Sequence, residues 1–272
     1  MGDFCRWVVR SPPTPKLRNP IPKGLIPSLD RAIARVSRAE EHLADFVRKV
    51  AQRGQEQIDA ITFNPDPNNP QQFIINQVHL PMDFSFSILI GEIVYNIRSA
   101  LDYLVFELAG LDSGYLIEGT QFPIEDKKKG FKRRIQGGWL DGLNSAHIAA
   151  IEALQPYRGC DWTAVLKNLS NPDKHVHLVP SRADHEFTFH GADANHVIDF
   201  RDMPGAVHST VMSDGTEVYV KAMLTTSIQF PDGTPVIETL EILKSEVARV
   251  LEAFKPDFER AQGGLHNTPS LP

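Results

Sequence analysis

The side chains best suited to chemistry lie on one helical stretch and one loop. Within 91–109 (GEIVYNIRSALDYLVFELA), Glu92, Asn96, Ser99 and Tyr103 recur at i, i+4, i+7 and i+11. At about 100° per residue they form one stripe, and Arg98 and Asp102, four residues apart, run along its edge. A carboxylate, an amide, two hydroxyls and a guanidinium on one side of a helix could polarise or hold a charged ligand. The same side could instead be solvated, with an i, i+4 ion pair contributing about 0.2–0.5 kcal/mol. The loop is Asn171-Pro172-Asp173-Lys174-His175. Asn and Pro favour a turn, and Asp173 is suited to capping a short helical turn. Four functional side chains in five residues suit a binding or acid–base role. An Asx turn with a local ion pair is the structural alternative.

Histidines are the second chemical lead. There are ten, of which His175, His177, His185, His190, His196 and His208 cluster. Imidazole is the commonest transition-metal ligand, and His175 and His177 share one face of a strand. His185 and His190, five apart, point to opposite faces. Neighbouring carboxylates (Asp184, Glu186, Asp193, Asp199) stand at no diagnostic ligand spacing, and no H-E-x-x-H motif is present. No metal ligand set is assigned, and surface or sheet histidines are the plainer account. A third lead is the basic run Lys127, Lys128, Lys129, Lys132, Arg133 and Arg134, which could touch phosphate or form a solvated loop.

Several chemistries lack their residues. No G-x-S-x-G, G-x-G-x-x-G or P-loop occurs, so no nucleotide cofactor, and no cofactor of any kind, is expected. Cys5 and Cys160 are the two cysteines, too few for a disulfide framework or a four-thiolate zinc site. The charge over 272 residues is 28 − 34 = −6, which argues against coating duplex DNA by bulk electrostatics but leaves room for a local patch. The most apolar stretch, 84–111, carries Glu92, Arg98, Asp102 and Glu107, and so does not read as a transmembrane helix. With no secretory pattern at Met1–Arg10, the expectation is a cytoplasmic protein without a membrane partner.

The elements that must position these residues follow from periodicity. Six prolines in 1–28 imply an extended arm. Apolar residues at helical spacing predict a helix over 29–53, ended near Gly54, with Ser28 as N-cap and Leu29, Ile33, Val36, Leu43, Phe46, Val47 and Val50 inward. A proline- and asparagine-rich loop over 64–72 and a strand over 73–80 follow. Over 84–110, Ile90, Ile93, Val94, Ile97, Leu101, Leu104, Val105 and Leu108 cover an arc of about 120°, the mark of a core helix. A polar, glycine-rich stretch over 112–143 precedes helices at 144–154 (N-cap Asn144; Ile148, Ile151 and Leu154 inward) and 161–170 (N-cap Asp161; Val165, Leu166 and Leu169 inward). The period then becomes strand-like at 185–191, 196–200 and 217–230, with turn signals at 202–205, 214–215 and 232–233. A last helix carries Val236, Leu240, Leu243, Val247, Val250, Leu251, Phe254 and Phe258, with Pro256 expected to kink or end it. This segregation means α+β. The expected layout is a helical half (29–175) around a long central core helix, a small antiparallel sheet (176–231) and a C-terminal helix (232–262), in one domain with a tail over 263–272.

Four blocks, 91–109, TQFPIED (120–126), IEALQPY (151–157) and LSNPDKH (169–175), resemble a widespread family of uncharacterised bacterial proteins. Its first block reads like H-N-L-R-S-A-L-D-H and its last like N-x-D-K-H-R. Val176 stands where that pattern has its final Arg. A looser resemblance is to HEPN domains, helical domains of bacterial defence and toxin systems, many of them metal-independent ribonucleases whose sites form between two protomers. Their signature is an Arg, a polar residue beside it and a His separated from the Arg by four to six residues, which Arg98, Ser99 and, after a gap of four, Tyr103 in place of His resemble. The resemblance implies Arg98 as electrostatic stabiliser, with Asp102, Tyr103 and His175 as the other catalytic candidates. Glu92, Asn96, Ser99, Asn171, Asp173 and Lys174 are then the binding candidates, RNA the partner and a homodimer the assembly. Tyrosine, with a usual pKa near 10, is a poor base at neutral pH. Three functions are expected in turn: a non-catalytic interaction or regulatory protein linked to defence, a HEPN-like ribonuclease that is weakened or inactive, and a metal-dependent enzyme using His175 and His177.

Overall fold

The computed structural model describes residues 18–22, 26–68, 73–76, 83–173, 182–192, 206–211 and 217–265. The elements run β1 (Arg18–Pro20), α1 (Asp30–Asp59), β2 (Thr62–Pro65), β3 (Phe73–Asn76), α2 (Phe84–Ser113), β4 (Tyr115–Ile117), α3 (Lys128–Gln136) and α4 (Ser145–Ala153). A 3-10 turn at Pro156–Arg158 leads to α5 (Asp161–Asp173), β5 (Arg182–Ala192), β6 (Ala206–Val211), β7 (Glu217–Gln229) and α6 (Val236–Leu265). The class is α+β. All eight apolar residues singled out on the central helix are fully buried, and each contributes about 1.5–3 kcal/mol relative to exposure. By length and hydropathy α2 could cross a membrane, but 61% of its most apolar window is buried inside the protein.

The chain forms two compact units, whose limits fall within α1, α2, α5 and α6. One comprises 1–36, 96–168 and 245–272. In it β1 pairs antiparallel with β4, and α3, α4 and the 3-10 turn follow from a connecting segment at 120–126. The other comprises 37–95 and 169–244. Here Phe46 of α1 meets Phe86 of α2 edge-to-face at 5.8 Å. β2 pairs with β3, and a three-stranded antiparallel sheet has the order β5-β7-β6. The Asp232-Gly233 turn forms as expected, with Gly233 at φ +88° and Asp232 accepting from the Thr234 N–H.

Several expectations need correction. α1 runs past Gly54 to Asp59 because Gln57 and Ile58 are buried, which outweighs the roughly 1 kcal/mol penalty of a helical glycine. Ile33, Val47 and Val165 are exposed, not core. The expected loop over 64–72 begins inside β2, where Pro65 ends the strand and needs no ladder donor. β3 covers 73–76, and 77–80 lie outside the described residues.

The stretch 112–143 holds β4 and α3, so the basic run is helical, anchored by buried Phe131. Lysine and arginine are good helix formers, and Gly130 leaves the space that the Glu125 carboxylate fills: a Cβ there would stand 2.3 Å from Oε2. On α4 it is His147 and Ile151 that are buried. Asp161 lies in the first turn of α5 rather than before it, where its charge faces the positive helix end. Asn171-Pro172-Asp173 continues α5 instead of turning, since a proline so near a helix end removes only one intrahelical bond. β6 (206–211) was not expected, and 196–200 lie outside the described residues. α6 continues through Pro256, held on either side by buried Phe254 and Phe258.

Candidate functional site

Segment 120–126 has no strand or helix partner to satisfy its peptide groups, and buried peptide groups need partners. Side chains from the other sequence blocks supply them. Asp102 Oδ1 accepts from the Phe122 N–H at 2.9 Å, and Arg98 Nη2 donates to the Phe122 carbonyl. The two side chains bind each other at 3.0 Å, one helical turn apart on α2. Together they clasp the backbone of one residue, Phe122, through the two peptide groups on either side of it, with the Arg98 guanidinium 5.9 Å from the Phe122 ring centre.

Gln155 grips the next two peptides. Its Nε2 donates to the carbonyls of Pro123 (2.9 Å) and Ile151 (3.0 Å), and its Oε1 accepts from the Glu125 N–H at 2.9 Å. Gln155 is wholly inaccessible to solvent. The Gln121 N–H donates to the Trp139 carbonyl at 3.0 Å. Arg134 pairs with Glu125 and stacks 4.0 Å over the Trp139 ring, and Lys167 pairs with Asp126. Three of the four blocks, 91–109, 120–126 and 151–157, thus meet at one segment, which leads directly into α3.

Arg98 is buried, and its Nη1 makes no hydrogen bond among the described residues. Burial pushes its pKa down, opposed by the Asp102 charge, with Arg134 adding to the lowering. A guanidinium so enclosed, with Nη2 committed to Asp102 and a backbone carbonyl, is in poor position to meet a phosphodiester.

Three of the stripe residues, Glu92, Asn96 and Tyr103, meet α1. Buried Asn96 accepts from Arg35 Nη1 at 3.2 Å, and the Arg35 guanidinium lies 5.5 Å from the centre of the Tyr103 ring. Glu92 belongs to the other unit and stands 3.7 Å from His42 Nδ1. Ser99 is half-buried. The stripe and its edge therefore serve separate contacts. Asn171 and Asp173 lie in the last turn of α5, while Lys174, His175 and His177 lie outside the described residues. His185, His190 and His208 fall opposite Thr226, Lys221 and Val220 in the sheet register. Among the described residues no group of three or more His, Cys, Asp or Glu could hold a metal.

Two polar centres escaped sequence reasoning. His147 sits between carboxylates, with Nδ1 2.7 Å from Asp112 and Nε2 3.4 Å from Asp257. Asp112 also accepts from the backbone and side-chain nitrogens of Asn144, each at 2.8 Å. The expected cap is in place, Asn144 Oδ1 accepting from the His147 N–H at 2.9 Å, and the Asn-x-x-His spacing was the legible signal. Glu107 lines a small cavity of about 170 Å³ with Ile21, Pro27, Phe106 and Leu116. Burial raises its pKa, against the Ser28 N–H and Arg31.

A scan against protein-family models, a search of curated proteins and a search of solved structures each return no match.

Proposed function

We propose that this protein acts by binding rather than by bond cleavage, as a non-catalytic interaction protein of the cytoplasm. The observation that supports this most directly is the commitment of Arg98 and Asp102 to the Phe122 peptide. The Arg98 that a HEPN-like ribonuclease would use for electrostatic stabilisation is here bonded, with Asp102, to the protein's own backbone. Tyr103 in the place of a catalytic His agrees with this, because it stands against the Arg35 guanidinium.

The test is incubation of purified protein with single-stranded and structured RNA, with and without chelator, alongside Arg98→Ala and Tyr103→Phe. No cleavage by any of the three proteins is expected. Metal-independent cleavage abolished by Tyr103→Phe at unchanged Tm would overturn the proposal in favour of the ribonuclease. Chelator-sensitive turnover, with stoichiometric metal lost on substituting His175 and His177, would overturn it in favour of the metalloenzyme.

A further inference from the structure

The charges on α3 depart from the pattern of the rest of the chain. Lys127, Lys128, Lys129, Lys132 and Arg133 are all exposed, and none lies within ion-pair distance of a carboxylate among the described residues. Elsewhere the described cationic side chains are matched. Arg31, Arg38, Arg48, Lys49, Arg53, Arg98, Arg134, Arg158, Lys167, Lys244, Arg249, Lys255 and Arg260 each face an Asp or Glu, and Arg35 rests on Asn96 and Tyr103. This happens in a chain with six more acids than bases. The nearby carboxylates are already taken: Glu125 by Arg134, Asp126 by Lys167 and Glu152 by Arg158, although Glu152 still feels Lys128.

Geometry makes these charges one surface. At about 100° per residue, Lys128, Lys132, Lys129 and Arg133 fall within an arc of about 140°. Phe131 lies outside that arc, about 130° from its centre, and is buried. Lys128 and Lys132, and Lys129 and Arg133, form two rows of i, i+4 neighbours, each about 6 Å apart along the axis, on the scale of successive phosphates in a strand. Lys128 and Lys129 lie in the first turn, where the helix dipole disfavours cations, and the N-cap Lys127 makes no side-chain capping bond. Internal stability does not account for this arrangement.

We infer that α3 is a docking surface for the phosphate backbone of a nucleic acid, read by charge and without base sequence. A lipid surface fits less well, because a helix that lies on a bilayer inserts its apolar side, and the apolar side of α3 is spent on the protein interior. The clasped segment 120–126 gives the surface its rigidity: Glu125 is held through its peptide by Gln155 and through its carboxylate by Arg134 of α3.

The inference rests on the reading of the chain as a binding protein, and one experiment separates the two. Fluorescence anisotropy is measured with labelled single-stranded RNA, duplex RNA and duplex DNA of equal length at 50 and 200 mM salt, followed by gel analysis of the recovered oligonucleotide. With four phosphate contacts, affinity falls about 50-fold for a single strand and about 150-fold for duplex DNA over that salt range. Lys129→Gln with Arg133→Gln lowers the duplex salt slope by about 2, and Lys129→Arg retains binding. The order of affinity among the three oligonucleotides identifies the preferred polymer. Affinity unchanged in the double glutamine variant, or binding to anionic phospholipid vesicles but to no oligonucleotide, overturns the inference and leaves the non-catalytic reading standing. Bound but cleaved RNA upholds the surface and overturns the non-catalytic reading.

Discussion

Removing Asp102 tests the Phe122 clasp, because it strands two groups at once. In Asp102→Ala the Phe122 N–H loses its acceptor, which costs about 1–3 kcal/mol for a buried donor. Arg98 is left buried beside no counter-charge, and breaking a buried ion pair costs about 3–5 kcal/mol. The Asp102 side chain is 31% exposed, so water reaches the pair and the lower part of that range applies. Taking the lower end of both ranges, the expected loss is about 4 kcal/mol in total. Arg98→Ala strands the Phe122 carbonyl but leaves the N–H satisfied, and costs about 2–3 kcal/mol. The double variant leaves no stranded charge and should cost about 1–2 kcal/mol less than the sum, a coupling typical of residues in one network. Asp102→Asn keeps an acceptor for the Phe122 N–H and should fall between wild type and Asp102→Ala. The assay is urea unfolding followed by circular dichroism, with equal m values confirming that the same transition is compared. Single losses below about 0.5 kcal/mol that simply add would refute the clasp.

Three more outcomes are expected. For Glu107, burial raises the folded-state pKa above the unfolded value near 4.3, so its contribution is fully present below that value and is lost as pH rises through the folded pKa. Glu107→Gln should therefore gain stability relative to wild type between pH 4 and pH 7 in parallel denaturation curves; a constant difference across that window would contradict the assignment. Gly130→Ala should bring none of the roughly 1 kcal/mol that alanine normally adds to a helix, because its Cβ meets the Glu125 carboxylate; a Tm rise matching that full gain would show that Glu125 is not held there. His147→Leu should lower stability by about 1–3 kcal/mol, since Asp112 and Asp257 both lose the ring between them, and an unchanged unfolding midpoint would count against the bridge.

How much was legible in the sequence depends on where each contact ends. The core of α2 was legible because side chains pack on side chains and leave a 3.6-residue rhythm from Ile90 to Leu108. The Arg98–Asp102 pair was visible as an i, i+4 spacing. Its joint target was not, because the Phe122 N–H and carbonyl are backbone atoms with no signature of their own. Gln155 lay within a quoted block yet stood out in no way, for the same reason. α3 was hidden by Gly130 and by the run of like charges, both of which argue against a helix until Phe131 finds its buried place. Pro256 was expected to kink or end α6, and the helix does not end there, because burial of Phe254 and Phe258 outweighs one missing hydrogen bond.

The clasp also has a place in time. Its bonds join residues 20 to 32 positions apart, so closing each loop costs only about 1.5–2 kcal/mol more than closing a four-residue turn. Yet the segment they hold has no regular structure of its own, and the holding side chains have fixed positions only once α2 and the end of α4 have formed. The expectation is that such contacts form after the folding barrier, which φ-values near zero at Asp102 and Gln155 would bear out. Loosening them then leaves the rate of folding nearly unchanged and lets the finished molecule open sooner. On this view the polar blocks act mainly on how long the native state persists, and so on how long α3 stays presented.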